Sequence, residues 1–266
     1  MGGTNVSATP VPRMQDAKEL TSHWTTVSGG KIHALWNAGP ASGYGPVVVL
    51  VPGMVVASGS MVPLATRLAR LCRVFAIDLP GYGKSDKPWP ILTVAQLADA
   101  IVGWMDANAL PEAHFAGNSF GCQILAALAV RHPKRVNRLV LQGPTVDPAA
   151  RGFWPQFWRQ VRNGCIEHSS LGRVMIRDYR AAGLRRVWAT IQSVLADRIE
   201  EKLPQVQAPT LVMRGDKDVV VPQRWAEQVT QLLPHGKLCV VSSAAHTLNY
   251  TAPIEFIETI RPFFHL

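Results

Sequence analysis

Apolar and polar positions divide the chain into short units of two different kinds. HWTTV (23–27) and KIHALW (31–36) flank Ser28-Gly29-Gly30, which predicts a β-hairpin closed by a glycine turn. VVVLV (47–51) is an unbroken β-branched run, the pattern of a strand buried on both faces. SMVPLATRLARL (60–71) predicts a helix, RVFAID (73–78) a buried strand, and TVAQLADAIVGWMDA (93–107) a helix capped by Thr93. AHFAG (113–117), SFGCQILAALAVRH (119–132) and VNRLVLQGP (136–144) then read as strand, helix and strand. Beyond position 205 the alternation resumes with strands at 209–215 and 237–242 and helices at 222–233 and 253–264.

This alternation predicts right-handed crossovers, hence an α/β fold with a mostly parallel central sheet and helices on both faces. Between 145 and 205 the rhythm breaks into helical patterning rich in Arg, with Trp154, Phe157, Trp158 and Trp188. A helical stretch inserted between two late strands predicts a small cap over a site. The core is then 21–144 together with 206–266, and residues 1–20 read as a flexible tail. That tail has no apolar run of a secretory signal, and Val6 stands where N-myristoylation needs Ser or Thr.

Composition narrows the classes. Of 266 residues 47% are hydrophobic and 17% charged, the reverse of a disordered chain, and the length suffices for a full core. No apolar run approaches the ~20 residues of a membrane helix, so no membrane partner is expected. The four cysteines are dispersed without a C-x-x-C pair, which fits a reduced, cytoplasmic protein and predicts neither metal nor cofactor. The net charge of +9 and pI near 9.8 are the unusual values. Ten Lys or Arg against six acids fall within 145–205, a field that would steer anions toward a pocket mouth or simply a solvated helix face. The basic residues are scattered over helices without a recognition motif, so no nucleic-acid partner is expected.

Gly117-Asn118-Ser119-Phe120-Gly121 lies where a predicted strand becomes a helix. Small flanking residues there let the backbone turn sharply and project the Ser119 hydroxyl above the sheet. A serine needs a base to take its proton. Of eight histidines, His246 lies in the loop after the last strand, on the same edge of the sheet as the elbow. His132 ends the elbow helix as a cap, and His114 begins the strand at the wrong end. The imidazole in turn needs a carboxylate, and Asp218 in RGDKDVVVP follows the strand at 209–214; Asp216, a turn former, and Asp147 compete with it. Cys122, one turn past Ser119, reads as a small apolar packing residue.

The order Ser119, Asp218, His246 resembles that of α/β-hydrolase fold enzymes, and the resemblance runs from about residue 22 to the end, including DLPGYGKSDKP (78–88). It implies a Ser-His-Asp triad with an oxyanion hole formed by the backbone N–H groups of Phe120 and Met54. Family members usually carry His-Gly in the second loop; here Pro52-Gly53 precedes Met54. A serine at the elbow argues against the dehalogenase and epoxide hydrolase branches, which use Asp. The expectation is a serine hydrolase of a small to medium apolar ester or lactone, acting as monomer or homodimer, with an anionic substrate one option. Asn118 resembles the carbon–carbon bond hydrolases of aromatic degradation, but those usually carry a glycine-rich loop and a Trp where this chain has Thr247. A non-catalytic binding protein on the same fold is the alternative of another class. Trp154, Phe157, Trp158, Met175, Trp188 and Leu248 are the expected pocket residues.

Overall fold

The computed structural model describes residues 20–37 and 45–266; apart from Leu20, the stretch read as a flexible tail lies outside them. Eight strands, β1 (Thr21–Val27), β2 (Gly30–Asn37), β3 (Val47–Val51), β4 (Arg73–Ile77), β5 (Ala113–Asn118), β6 (Val136–Gln142), β7 (Thr210–Gly215) and β8 (Gly236–Val241), form one sheet. Their order is β1-β2-β4-β3-β5-β6-β7-β8, with the β1–β2 and β2–β4 pairings antiparallel and the five pairings from β4 across to β8 parallel. The hairpin closes where Val27 pairs with Gly30, at the glycine turn predicted from the sequence.

The helices are α1 (Val62–Leu68), α2 (Val94–Ala107), α3 (Phe120–Arg131), α4 (Phe153–Ile166), α5 (Ser169–Ala182), α6 (Leu184–Ala196), α7 (Ile199–Lys202), α8 (Gln223–Leu232), α9 (Leu248–Thr251) and α10 (Pro253–Phe264). The helix expected over 60–71 is shorter: a 3₁₀ turn, Ser58–Met61, feeds α1 at Pro63. Thr93 caps α2 reciprocally with Gln96, each side chain accepting the other's backbone N–H.

Alternation along the buried strands feeds two cores. Val49 and Val51 of β3 join the cluster with α2, α3 and α8, while Val48 and Leu50 join the cluster with α1, α9 and α10. The unbroken VVVLV run thus has apolar neighbours on both faces, as parallel strands require. Among the described residues no helix is long and apolar enough to cross a membrane.

Helices α4–α7 form one insertion between β6 and β7. It is fastened to the core by polar contacts: Gln123 Nε2 donates to the Val194 carbonyl, the Tyr82 and Thr190 hydroxyls pair at 2.7 Å, and the Ala57 N–H donates to Asp178. The loop after β4 is fixed from below by Asp78. This buried carboxylate accepts from His33 Nδ1 (2.8 Å) and from the amides of Ser58 (2.6 Å) and Lys84 (2.9 Å). Burial pushes its pKa up, but the His33 and backbone hydrogen bonds outweigh that and hold it below the usual 3.8.

A carboxylate lowered in this way stabilises the fold above its unfolded pKa, and the contribution disappears as pH falls through the lowered folded value. Asp78→Asn should therefore reduce stability by roughly 1–3 kcal/mol at neutral pH. Urea titrations at several pH values should show the gap to wild type narrowing below about pH 4. A gap constant with pH would contradict the assignment.

Candidate active site

Every loop that bears candidate chemistry leaves the C-terminal end of a parallel strand, where sheets of this kind place their ligands. Ser119 sits between β5 and α3 at φ 54° and ψ −114°, a left-handed conformation that costs of order 1–3 kcal/mol in a residue other than glycine. The neighbouring glycines make it feasible. A Cβ at Gly121 would lie 2.5 Å from the Val51 carbonyl oxygen, and one at Gly117 would lie 2.7 Å from Leu125 Cδ1 and 2.9 Å from the Gly121 carbonyl carbon. The chain can pass from strand to helix in a single residue only because both side chains are missing.

His246 and Asp218 form a buried dyad, with Nδ1–H donating to Oδ2 at 2.8 Å. Asp218 Oδ1 accepts from the amides of Val220 (2.8 Å) and Val221 (2.9 Å), so its lone pairs are occupied without water. Arg214 folds the loop that makes this possible: it donates to the carbonyls of Asp218 and Val221 and to Gln223 Oε1. Asp216 stands exposed in the turn, and Asp147 is held by Arg159 and Arg224. Neither pairs with His246 among the described residues. Burial pulls the His246 pKa down, but the Asp218 charge and hydrogen bond, with the charge of Glu167, outweigh it and raise it above 6.5. His246 Nε2 is buried and has no hydrogen-bond partner among the described residues.

Two residues missed in the sequence hold these parts together. The Gln142 carbonyl accepts the Ser119 N–H at 2.9 Å, while its side-chain Nε2 donates to the His246 carbonyl at 2.6 Å. One buried residue at the end of β6 therefore sets both the elbow and the histidine loop. Gly143 follows at φ +58°; a Cβ there would fall 2.7 Å from His246 Cε1 and 2.8 Å from Nδ1. The imidazole rests close against the Gly143 backbone. Glu167, at the end of α4, accepts the Thr247 N–H at 2.8 Å and ties the insertion to the same loop. The Cys122 thiol donates to the Gly117 and Gln142 carbonyls, and full burial pushes its pKa well up, consistent with packing.

A cavity of about 540 Å³ opens above Ser119. Met54, Thr145 and Val146 line it with Ser119, and Phe157, Met175, Ile176, Tyr179, Ile191, Val194 and Leu195 of the insertion add an apolar wall. Arg180, Gln156 and Gln160 contribute the polar part of that wall. Burial pushes the Tyr179 hydroxyl up to about 12, so it stays protonated. The Pro52–Met54 loop is pressed against the elbow: a Cβ at Gly53 would lie 2.9 Å from Asn118 Oδ1 and 3.5 Å from Ser119 Cβ.

Of the expected pocket residues, Phe157 and Met175 line the cavity and four do not. Trp154 and Trp158, four apart on α4, lie on the opposite side of the helix from Gln156 and Gln160, and they face out. Trp188 is also exposed, packed on Phe153. Leu248 is fully buried in the cluster with α1 and α10. His114 stacks on Phe264 at 4.7 Å, and burial, with the charges of Arg138 and His265, pulls it down to about 4. A second Ser-His-Asp chain exists, with Ser22 Oγ 3.0 Å from His33 Nε2 and His33 on Asp78. None of its residues lines the cavity, and Ser22 sits in a strand without a strained turn.

Because Gly143 has no side chain where the imidazole rests, Gly143→Ala should displace the ring. The low-field proton resonance of an imidazole shared with a carboxylate should be present in wild-type ¹H spectra and lost in this variant. Its persistence would show that the ring does not depend on this backbone.

A family model for the alpha/beta hydrolase fold matches residues 46–174. The 2-hydroxymuconate semialdehyde hydrolase of Pseudomonas sp. (strain CF600) is 28% identical over 221 residues, covering 74% of this chain and 77% of that protein. The pimeloyl-[acyl-carrier protein] methyl ester esterase of Nitrosomonas europaea (strain ATCC 19718 / CIP 103999 / KCTC 2705 / NBRC 14298) is 26% identical over 245 residues, covering 82% and 95%. The crystal structure of the enol-lactonase from Burkholderia xenovorans LB400 superimposes with a TM-score of 0.74 at 20% identity, over 92% of this chain and all of that one. The matched segment runs from the start of β3 through the strained elbow into α5, and the full sheet order agrees with it: this chain has the α/β-hydrolase fold.

Proposed function

We propose that this chain is a serine hydrolase that cleaves a small to medium apolar carboxylic ester or lactone through an acyl-enzyme. The observation that carries the reading is Ser119, strained into the floor of an apolar cavity at the same sheet edge as a buried His246–Asp218 dyad. Residues 145–205 act in it as the cap that roofs the cavity.

Ser119 Oγ attacks the substrate carbonyl carbon while His246 Nε2 takes its proton. Asp218 holds the Nδ1–H tautomer and stabilises the imidazolium. The oxyanion is received by the backbone N–H groups of Met54 and Phe120, the second being the first, intrahelically unpaired amide of α3. Collapse breaks the bond to the alcohol oxygen, which leaves with the proton from His246. A water, deprotonated by His246, then attacks the acyl carbon and releases Ser119 and the acid.

The two relatives act, by name, on a semialdehyde and on a methyl ester, and both chemistries begin at a carbonyl. Ester or lactone cleavage is favoured over carbon–carbon cleavage because the oxyanion loop is Pro52-Gly53-Met54 rather than glycine-rich, and Thr247 follows the histidine. Most of the cavity wall is apolar, with Met54, Val146, Phe157, Met175, Ile176, Ile191, Val194 and Leu195, which suits an acyl chain.

Against a panel of p-nitrophenyl esters of rising chain length, one lactone and one dienoate ketone, the ester or lactone should turn over. Ser119→Ala should lower kcat by at least about 10³-fold with the melting temperature retained. Turnover of the dienoate alone would sink the ester reading; full activity in Ser119→Ala would sink the mechanism.

The base works only when neutral, so kcat/KM should fall on acidification with a limb above the ordinary 6.5 of histidine. Glu167→Gln should move that limb to lower pH while leaving most of the rate, and Asp218→Asn should cost on the order of 10⁴ in kcat. A limb unmoved in both variants would contradict the electrostatic account.

A further inference from the structure

Helix α4 is amphipathic with its faces reversed. Gln156 and Gln160 line the cavity and Asn163 is buried, whereas Trp154, Trp158 and Val161 form an outward stripe and are 65, 59 and 42% exposed. Phe157 joins the two sides, being both exposed and part of the cavity wall. The rings are in mutual contact, Trp154 with Phe157 at 5.9 Å and Phe157 with Trp158 at 5.5 Å. Phe153 carries the surface across to Trp188 of α6 at 5.7 Å, and Leu184, one turn before Trp188, is 89% exposed. Single exposed apolar side chains are ordinary, but a contiguous aromatic face of this kind is a docking surface.

Charge selects what docks. Five of the six acids of the insertion are engaged within the fold: Asp147 by Arg159 and Arg224, Glu167 by the Thr247 N–H, Asp178 by Arg177, Asp197 by Lys202, and Glu200 by Arg151. The sixth, Glu201, pairs with Arg198. Arg162, Arg173 and Arg180 are exposed and have no acid partner among the described residues. Arg162 follows Val161 at the edge of the aromatic stripe. A second copy docked through the same patch would set two insertions of like net charge, each with ten Lys or Arg to six acids, against one another. An anionic lipid surface answers both features, with indole rings at the headgroup boundary and guanidinium groups on phosphates.

We propose that the outward face of α4, with the adjoining start of α6, docks this protein on anionic lipid surfaces. The sequence predicts no membrane partner because no apolar run spans a bilayer; a helix lying in the interface plane needs no such run. Through Phe157 the docked face borders the cavity, so apolar molecules held in the bilayer are delivered beside its mouth. The docking itself does not depend on the hydrolase reading.

The test is flotation of the purified full chain with phosphatidylcholine vesicles and with vesicles in which a third of the lipid is phosphatidylglycerol. At ~50 mM salt, binding to the anionic vesicles should exceed binding to the neutral ones by at least about fivefold, and should weaken at ~0.5 M salt. Trp154→Ser/Trp158→Ser and, separately, Arg162→Gln should each reduce flotation severalfold, with melting temperatures near wild type because all three side chains are exposed. No flotation with anionic vesicles at low salt would overturn the proposal, as would flotation unchanged in the tryptophan variant. A dimer abolished by the tryptophan substitutions, without flotation, would assign the patch to a second copy and overturn it too.

Discussion

The backbone at Ser119 is the constraint from which the rest of the site follows. A strand that must become a helix within one residue forces that residue to positive φ, and the following helix lies so close to β3 that Gly121 cannot carry a Cβ. Only the packing of two central parallel strands against α3 can hold a serine in that conformation. In return the hydroxyl is lifted off the sheet into the cavity, with the first amides of α3 directly behind it. The Ser119 N–H is not left unpaired either, since the Gln142 carbonyl of the neighbouring strand accepts it.

Buried charge is the second organising problem, and the chain handles it twice in the same way. Asp78 and Asp218 each sit past the end of a parallel strand, accept two backbone amides, and give the remaining oxygen capacity to a histidine Nδ1. The consequences differ because of what lies beyond the imidazole. His33 meets an exposed strand serine outside the cavity and locks a loop. His246 presents an Nε2 with no partner among the described residues, at the sheet edge where the elbow stands. The same three residue types thus make a hydrogen-bond chain in two settings, and only the one at His246 stands beside a strained turn and an enclosed volume.

Much of this was legible in the sequence because it is local. The period of the apolar runs, the glycine turn at 28–30, the Thr93 cap and the glycine-flanked serine depend on residues within a few positions of one another. Asp218 and His246 could be chosen because each follows a recognisable strand on the same edge. Gln142 and Gly143 could not, since their roles exist only once β6 lies beside β5 and the loop after β8 folds over them. The pocket was the least legible part. Helix α4 has aromatic residues on two sides, and composition cannot say which side faces in; the polar Gln156 and Gln160, rather than the tryptophans, turned out to point at the cavity. The clustering of basic residues at 145–205 was visible as a count, but its meaning required knowing that the acids there are engaged in the fold and several arginines are not.

The central claim is that Ser119 is the nucleophile of a covalent mechanism, and one measurement addresses it directly. Wild-type protein treated with a fluorophosphonate, digested and analysed by mass spectrometry should carry one adduct, on the peptide containing Gly117–Gly121, with Ser119 as the modified atom's residue. His246→Ala should suppress that adduct at equal reagent and time. An unmodified Ser119 peptide, or an adduct confined to Ser22 on its His33–Asp78 chain, would contradict the account.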